Sequence, residues 1–532
     1  MRASQLCRGA PLCNIARGLH RIAEAMLMSA NGSVTGADPR HASTASSASN
    51  AAGESVSSLV AQGPTTPSWA LPMDLAEDLS KPQAPRDMQF KRVPSSRVGR
   101  AAGFASLFAQ LGWEKMMGST PAGGLISERG HGHIVNTLCR MRGAVLKLGQ
   151  MLSIQDENTI PPHIASLFER VRDQAFAMPP AQLDRTLAKE FGNAKWRTDL
   201  FHSFDDTPVA AASIGQVHHA TLRPGAAGTD PTKPPVEVAV KVQYPGVAES
   251  IDSDVANLKM LMSVGVLPPG MFVEKILQEL RNELSAECRY TLEASKQMRY
   301  RELVAADPSL STFFYVPKVY QQITTDHVLV SEYVRGVTID HLGKRPGVPQ
   351  ELRNYVADRL MDLTLKELFV WRFMQTDPNF SNFLYSAKEN RVYLLDFGAS
   401  REYSSEFLED YLDVVTAAAN GDRETIIAKS IALGFLTGRE VEEMLDAHCA
   451  SVLLLGKPFK DRVQAFDFAA QNLPSLIQAY VPTMVRLRLR PPPPPVYSLH
   501  RRLSGTILLA TKFKAAIHSG RQFWDIRDQL RK

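Results

Sequence analysis

The chain has 532 residues, 44% of them hydrophobic and 22% charged, with a formal net charge of +5. That length supports a two-lobed core plus extensions; the charge is too mild to argue for nucleic acid, and no nucleic-acid-binding motif is present. Cys7, Cys13, Cys139, Cys288 and Cys449 form no Cys-x-x-Cys pair, which argues against a zinc or disulfide framework and suits a reducing compartment.

Arg2, Arg8, Arg17 and Arg21 precede the first acidic residue, Glu24. An Arg-containing, acid-free start bearing Ser and Ala reads as a mitochondrial transit peptide, assigned to residues 1–30. Residues 31–86 are expected to be a disordered linker, since Ser, Ala, Gly and Thr dominate and large apolar groups are few. The uncharged run 101–113 is too short to span a bilayer and follows Arg86, Lys91, Arg92, Arg97 and Arg100. It lies in an anionic membrane interface or forms a buried helix. Apolar residues at 134, 138, 141, 145, 148 and 152 predict a helix with one buried stripe, leaving Gly143, Lys147 and Gln150 on its other face.

An Ala-rich loop follows, with Ala210, Ala211, Ala212 and Ser213. In residues 236–243, Val238, Val240 and Val242 alternate with Ala239, Lys241 and Gln243. That period of two predicts a strand with one apolar face and one face carrying a small residue and a lysine, as in the kinase strand that lays Ala on adenine and Lys on phosphates. Apolar residues at 272, 273, 276, 277, 280 and 284 predict an amphipathic helix running on toward Glu287 and Glu293, the two candidate partners of Lys241. A hinge is expected over 330–334, where the backbone of Glu332 and Val334 would read the adenine edge.

Asp377 precedes Asn382 by five positions, and Asp396-Phe397-Gly398 closes an apolar run. This pairing is the phosphate and metal arrangement of kinases. Magnesium takes few protein oxygens, here those of Asn382 and Asp396, while Asp377 would face the attacking nucleophile. Gln375-Thr376 stands where kinases have His-Arg, no Ala-Pro-Glu follows, and residues 399–403 lead directly into an acidic helical stretch, 406–415. Little length remains for docking a peptide. Arg486, Arg488 and Arg490 alternate with leucines, as an edge strand or a lipid-facing patch, and 491–495 should form a polyproline spacer.

The ordered set Lys147-Leu148-Gly149-Gln150, the Ala-rich loop, Val238-Ala239-Val240-Lys241, Thr376-Asp377-Pro378-Asn379 with Asn382, and Asp396-Phe397-Gly398 resembles the UbiB-like (aarF-domain-containing) atypical kinase family. The resemblance runs from about residue 93 through 497–505 and is nearest the mitochondrial branch that supports coenzyme Q biosynthesis. It implies an α+β, two-lobed protein-kinase-like fold: an N-terminal helical extension with the Lys-x-Gly-Gln motif (87–195), an N-lobe (196–334), and a C-lobe with a helical C-terminal extension (335–532). It further implies that Lys147 and Gln150 occlude the cleft, with Glu287 regulatory. Glu293 would hold Lys241, and the Ala-rich loop would disfavour protein phosphorylation. Arg289 departs from the family pattern, Glu-x-Asp, where this chain has Glu287-Cys288-Arg289.

The implied activity is Mg2+-dependent ATP hydrolysis supporting coenzyme Q assembly. ATP and ADP, coenzyme Q biosynthetic enzymes and anionic inner-membrane lipids are the expected partners, with peripheral attachment on the matrix side. Phosphotransfer to a protein or lipid-like acceptor and a nucleotide-sensing scaffold are the other readings. A scaffold has no chemical need of Asp377.

Overall fold

The computed structural model describes residues 71, 73–80, 89–90, 176–211, 214–262 and 273–532. The expectations for the transit peptide, for 101–113, and for Lys147, Gln150, Ala212 and Ser213 fall outside these residues. The linker expectation is corrected in part. Met73–Ser80 form a helix, α1, whose Leu75 and Leu79 are buried. An i, i+4 pair of leucines supplies enough apolar contact to order a short segment within an otherwise polar stretch.

In chain order the next elements are β1 (Phe201–Phe204), β2 (Ala210–Ala211), β3 (Gly215–Leu222), β4 (Val236–Gln243), α2 (Val273–Glu287), α3 (Tyr290–Ala306), β5 (Phe314–Tyr315) and β6 (Val328–Glu332). Strands β1, β3, β4 and β6 lie in that order in one antiparallel sheet, with β2 paired to β3. Val238, Val240 and Val242 are fully buried and pack in a cluster with Leu280 and Leu284 of α2 and Ala294 of α3. Each such burial is worth roughly 1.5–3 kcal/mol, which fixes the register of β4 and leaves Ala239 and Lys241 on the opposite face.

The helix expected to run on through Glu293 is broken. Arg289 is extended, with φ −113° and ψ 91°, between α2 and α3. No Gly or Pro causes this. Long-range bonds hold the break: Gln243 Nε2 donates to Cys288 O at 3.0 Å, Tyr290 N donates to Asp326 O at 3.0 Å, and the Thr291 hydroxyl meets the Asp326 carboxylate. The break restarts the helix so that Glu293 falls in the first turn of α3. Further along, α3 enters a second core through Tyr300 and Val304.

That core belongs to β7 (Val337–Thr338), α4 (Gln350–Leu365), β8 (Phe373–Gln375), β9 (Phe383–Ser386), β10 (Arg391–Leu394), β11 (Ser400–Glu402), α5 (Ser405–Asn420) and α6 (Pro494–Lys512). Strands β5, β10, β9 and β7 form a mixed sheet, while β8 pairs with β11. Ser404 caps α5, its hydroxyl accepting from Phe407 N. The proline run is only partly a spacer: Pro494 and Pro495 make the first turn of α6, where a missing N–H costs nothing. Arg486 lies in the helical segment Val481–Leu487, so the edge-strand alternative is set aside. No described helix is long and apolar enough to cross a membrane.

Candidate active site

Lys241 emerges from β4 between the two lobes. Its Nζ lies 2.7 Å from Glu293 Oε1, 3.5 Å from Asp396 Oδ2 and 5.0 Å from the Tyr290 ring centre. The helix break therefore selects Glu293 over Glu287 as the contact. Glu287 lies close by, its Cγ 3.3 Å from where a Cβ on Gly398 would sit. Arg289 is exposed on the connecting segment. One lysine thus faces several carboxylates. Burial opposes charge on Lys241, but Asp396 and Glu293 outweigh it and hold the amine well above its usual value. Burial pushes Glu293 up to about 7; Lys241 pulls it down, while Asp396 and Glu287 push it up.

The roof is built from β3. A Cβ at Gly215 would lie 2.5 Å from Val242 O and 2.7 Å from Tyr290 Oη, so only glycine lets β3 approach here. Ala210 and Ala211 are not free loop: they pair with Val217 and Gln216. A saturated chain pins this edge. Met178 N donates to Gln216 Oε1 at 2.8 Å, and Gln216 Nε2 lies 2.7 Å from His218 Nε2. His218 Nδ1 lies 2.7 Å from the Asp205 carbonyl. A carbonyl only accepts, so Nδ1 carries the proton and the ring is neutral; burial lowers its pKa to about 4. Ala239 lies on the Lys241 face, opposite Ser331. The Glu332 carboxylate accepts from Tyr315 Oη at 2.6 Å and Lys318 N at 3.2 Å, and its N–H donates to Lys318 O at 2.8 Å, so its backbone carbonyl is the group left to meet an adenine. The Val334 N–H makes no backbone bond among the described residues.

Below the cleft, Asp377 Oδ2 accepts from Asn382 Nδ2 at 3.0 Å, and Asp377 Oδ1 accepts from Asn379 N at 3.3 Å. Leu395 N donates to Asn382 O at 2.8 Å, tying this loop to the strand that ends at Asp396. Asp396 has φ +58°, a left-handed conformation that Asp tolerates better than most residues. Gly398 N donates to its Oδ1 at 3.2 Å, Gln375 Nε2 to its carbonyl at 3.0 Å, and Lys296 Nζ to the Gly398 carbonyl at 2.8 Å.

A magnesium ion fits this donor set. With Asn382 Nδ2 committed to Asp377, its Oδ1 is the atom left for a cation, and the Asp396 carboxylate is partly exposed. No group of three or more His, Cys, Asp or Glu side chains converges as a cage among the described residues. Two hard oxygens beside excess negative charge suit an ion that keeps waters and takes phosphate oxygens.

The supports under the loop have no local sequence signal. Glu367 is fully buried and accepts from Arg502 Nη2 at 2.9 Å, Gln375 N at 3.1 Å and the Tyr300 hydroxyl. Arg501 Nε donates to Thr376 O at 3.0 Å. Gly505 packs under Pro378 so closely that an added Cβ would overlap the proline ring.

A family profile described as "ABC1 atypical kinase-like domain" matches residues 170–430. The chain is similar to "Atypical kinase COQ8B, mitochondrial" of Rattus norvegicus, 44% identical over 450 residues, covering 82% of this chain and 81% of that one. It is similar to "Atypical kinase COQ8, mitochondrial" of Saccharomyces cerevisiae, 40% identical over 446 residues, with 82% and 85% covered. "Atypical kinase COQ8B, mitochondrial" of Danio rerio is 42% identical over 451 residues, with 82% and 69% covered. With similarity of this depth over most of both chains, beside the profile match, the chain belongs to the UbiB/COQ8 family of ABC1 atypical kinases.

Proposed function

We propose that this protein is an Mg2+-dependent ATPase supporting coenzyme Q biosynthesis, attached peripherally to anionic lipid on the matrix side of the mitochondrial inner membrane. One observation carries the reading: Lys241, Glu293 and Asp396 meet within 3.5 Å across the cleft, and Asp377 and Asn382 are bonded on its floor. Relatives named mitochondrial support the compartment.

Lys241, oriented by Glu293, binds phosphate oxygens of ATP. Asn382 and Asp396 would hold magnesium, which when bound offsets phosphate charge. Asp377, fixed by Asn382, orients a water. As the water oxygen bonds to the γ-phosphorus, the bond from that phosphorus to the ADP oxygen breaks, and the water proton passes to the Asp377 carboxylate. Strand β11 pairs with β8 directly after Gly398, and α5 begins at Ser405, which leaves no long segment to dock a peptide. Glu332 and Val334 would read adenine through their backbone, beside Ala239. Ala210 and Ala211, with Ala212 and Ser213, would cover the phosphates, and Lys147, Gln150 and Glu287 would regulate entry.

Phosphate release from Mg-ATP by the full chain, with and without anionic liposomes, tests this. Release that is abolished in Asp396→Asn and rises with liposomes is expected. Nucleotide binding without release above that variant would overturn the ATPase reading in favour of a scaffold or of a transferase lacking its acceptor.

A further inference from the structure

The catalytic loop lacks the arginine that precedes the catalytic aspartate in kinases, where such a residue pairs with a phosphorylated activation loop. Thr376 occupies that position. A guanidinium nevertheless sits there in space. Arg501 comes from α6, is only 9% exposed, and donates Nε to Thr376 O at 3.0 Å. Its other two nitrogens bond Glu283 of α2, Nη2 to Oε1 at 2.9 Å and Nη1 to Oε2 at 3.2 Å. Thr376 Oγ1 in turn donates to Ala399 O at 2.6 Å. One guanidinium therefore joins the residue before Asp377 to the helix that leads into the Glu293 segment. Bidentate geometry fixes direction as well as distance.

We propose that Arg501 is a positioning residue for Asp377, and that its pair with Glu283 makes the placement of the catalytic loop depend on α2. An internal carboxylate here does the work that a phosphorylated loop does in peptide kinases. The loop is set without a modification, and displacing α2 would unset it. The proposal rests on the reading of Asp377 given above.

The test uses the full chain with R501Q, R501K, E283Q, the swap E283R/R501E, and D377N alongside. Phosphate-release kinetics, thermal midpoints and amide exchange over residues 374–382 are measured together. For R501Q, kcat should fall about 100-fold with KM for ATP within about threefold. R501K keeps the charge but has one nitrogen for three contacts, and should lose about tenfold in kcat while staying folded. The swap restores an ion pair but places no donor at the Thr376 carbonyl, so it should recover the thermal midpoint and not kcat. Recovery of both, or R501K turning over as the wild type does, would overturn the proposal by reducing Arg501 to a plain structural bridge. If D377N retains wild-type turnover, the reading of Asp377 fails by itself. Exchange then decides the clamp: faster exchange at 374–382 in both R501K and E283Q supports it, and unchanged exchange overturns it.

Discussion

Two buried ion pairs hang on the same helix and behave differently. Near the start of α3, Glu293 meets Lys241; two turns on, Tyr300 meets Glu367, which holds Arg502. The Glu367 carboxylate is saturated by a guanidinium, an amide and a phenol. At the Lys241 site one ammonium contacts both Glu293 and Asp396; Glu287 adds further negative charge, and Lys296, bonded to the Gly398 carbonyl, adds a second positive charge, which leaves three carboxylates to two ammonium groups. Saturation marks a foundation, since nothing more can be bound there without breaking it. Excess carboxylate marks a place waiting for a cation.

The largest expected effect lies in the unsaturated pair. Lys241→Met or Asp396→Asn should reduce phosphate release on the order of 10³-fold while the thermal midpoint moves by only a few degrees. A midpoint falling as far as activity would erase the contrast.

The saturated pair should give the converse. Arg502→Met leaves Glu367 buried without its cation and should cost about 3–5 kcal/mol, read from urea unfolding. Arg502→Met with Glu367→Leu should recover part of that. Equal stability of wild type and Arg502→Met would show the pair to be dispensable.

The Gln216–His218 chain applies the same criterion by pH. The folded His218 pKa of about 4 lies below the ordinary 6.5, so its stabilisation is complete above about 6.5 and is lost as pH falls toward 4. The window corresponds to ~3 kcal/mol. Urea midpoints at pH 7, 5 and 4 should show that slope in the wild type and a smaller one in His218→Phe.

The smallest effect is expected at the roof. Ala211→Gly loosens a short paired strand and should shift the ratio of ATP to ADP affinity by a few-fold, about 1 kcal/mol, in calorimetric titration. Unchanged affinities would mean that the Ala-rich segment does not select nucleotides.

Much of this site is legible because its parts are local patterns. Val238, Val240 and Val242 announce β4 and its inward face, and the spacing of the motifs survives folding: Asp377 bonds Asn382, and Leu395 beside Asp396 bonds the Asn382 carbonyl. The break at Arg289 is not legible, because Gln243 and Asp326 cause it from elsewhere in the chain. Helix α1 is hidden for a similar reason: Leu75 and Leu79 look sparse until the C-lobe core receives them. Arg501, Arg502 and Gly505 form a recognisable string, yet nothing local says that they touch Thr376, Glu367 and Pro378. A contact spanning more than a hundred positions leaves no periodicity behind.

Gly505 under Pro378 has a consequence for synthesis. A chain leaving the ribosome exposes every nucleotide-facing residue long before α6 exists, yet the loop bearing Asp377 has no floor until α6 has emerged and packed. The same helix supplies Leu499, Leu503, Ile507 and Ala510 to the C-lobe core, so the proposed catalytic loop and the core beneath it are completed in one step. A frameshift or early stop close to the end of the message would then remove the floor under Asp377 together with part of the C-lobe core, so loss of turnover and loss of stability should appear together.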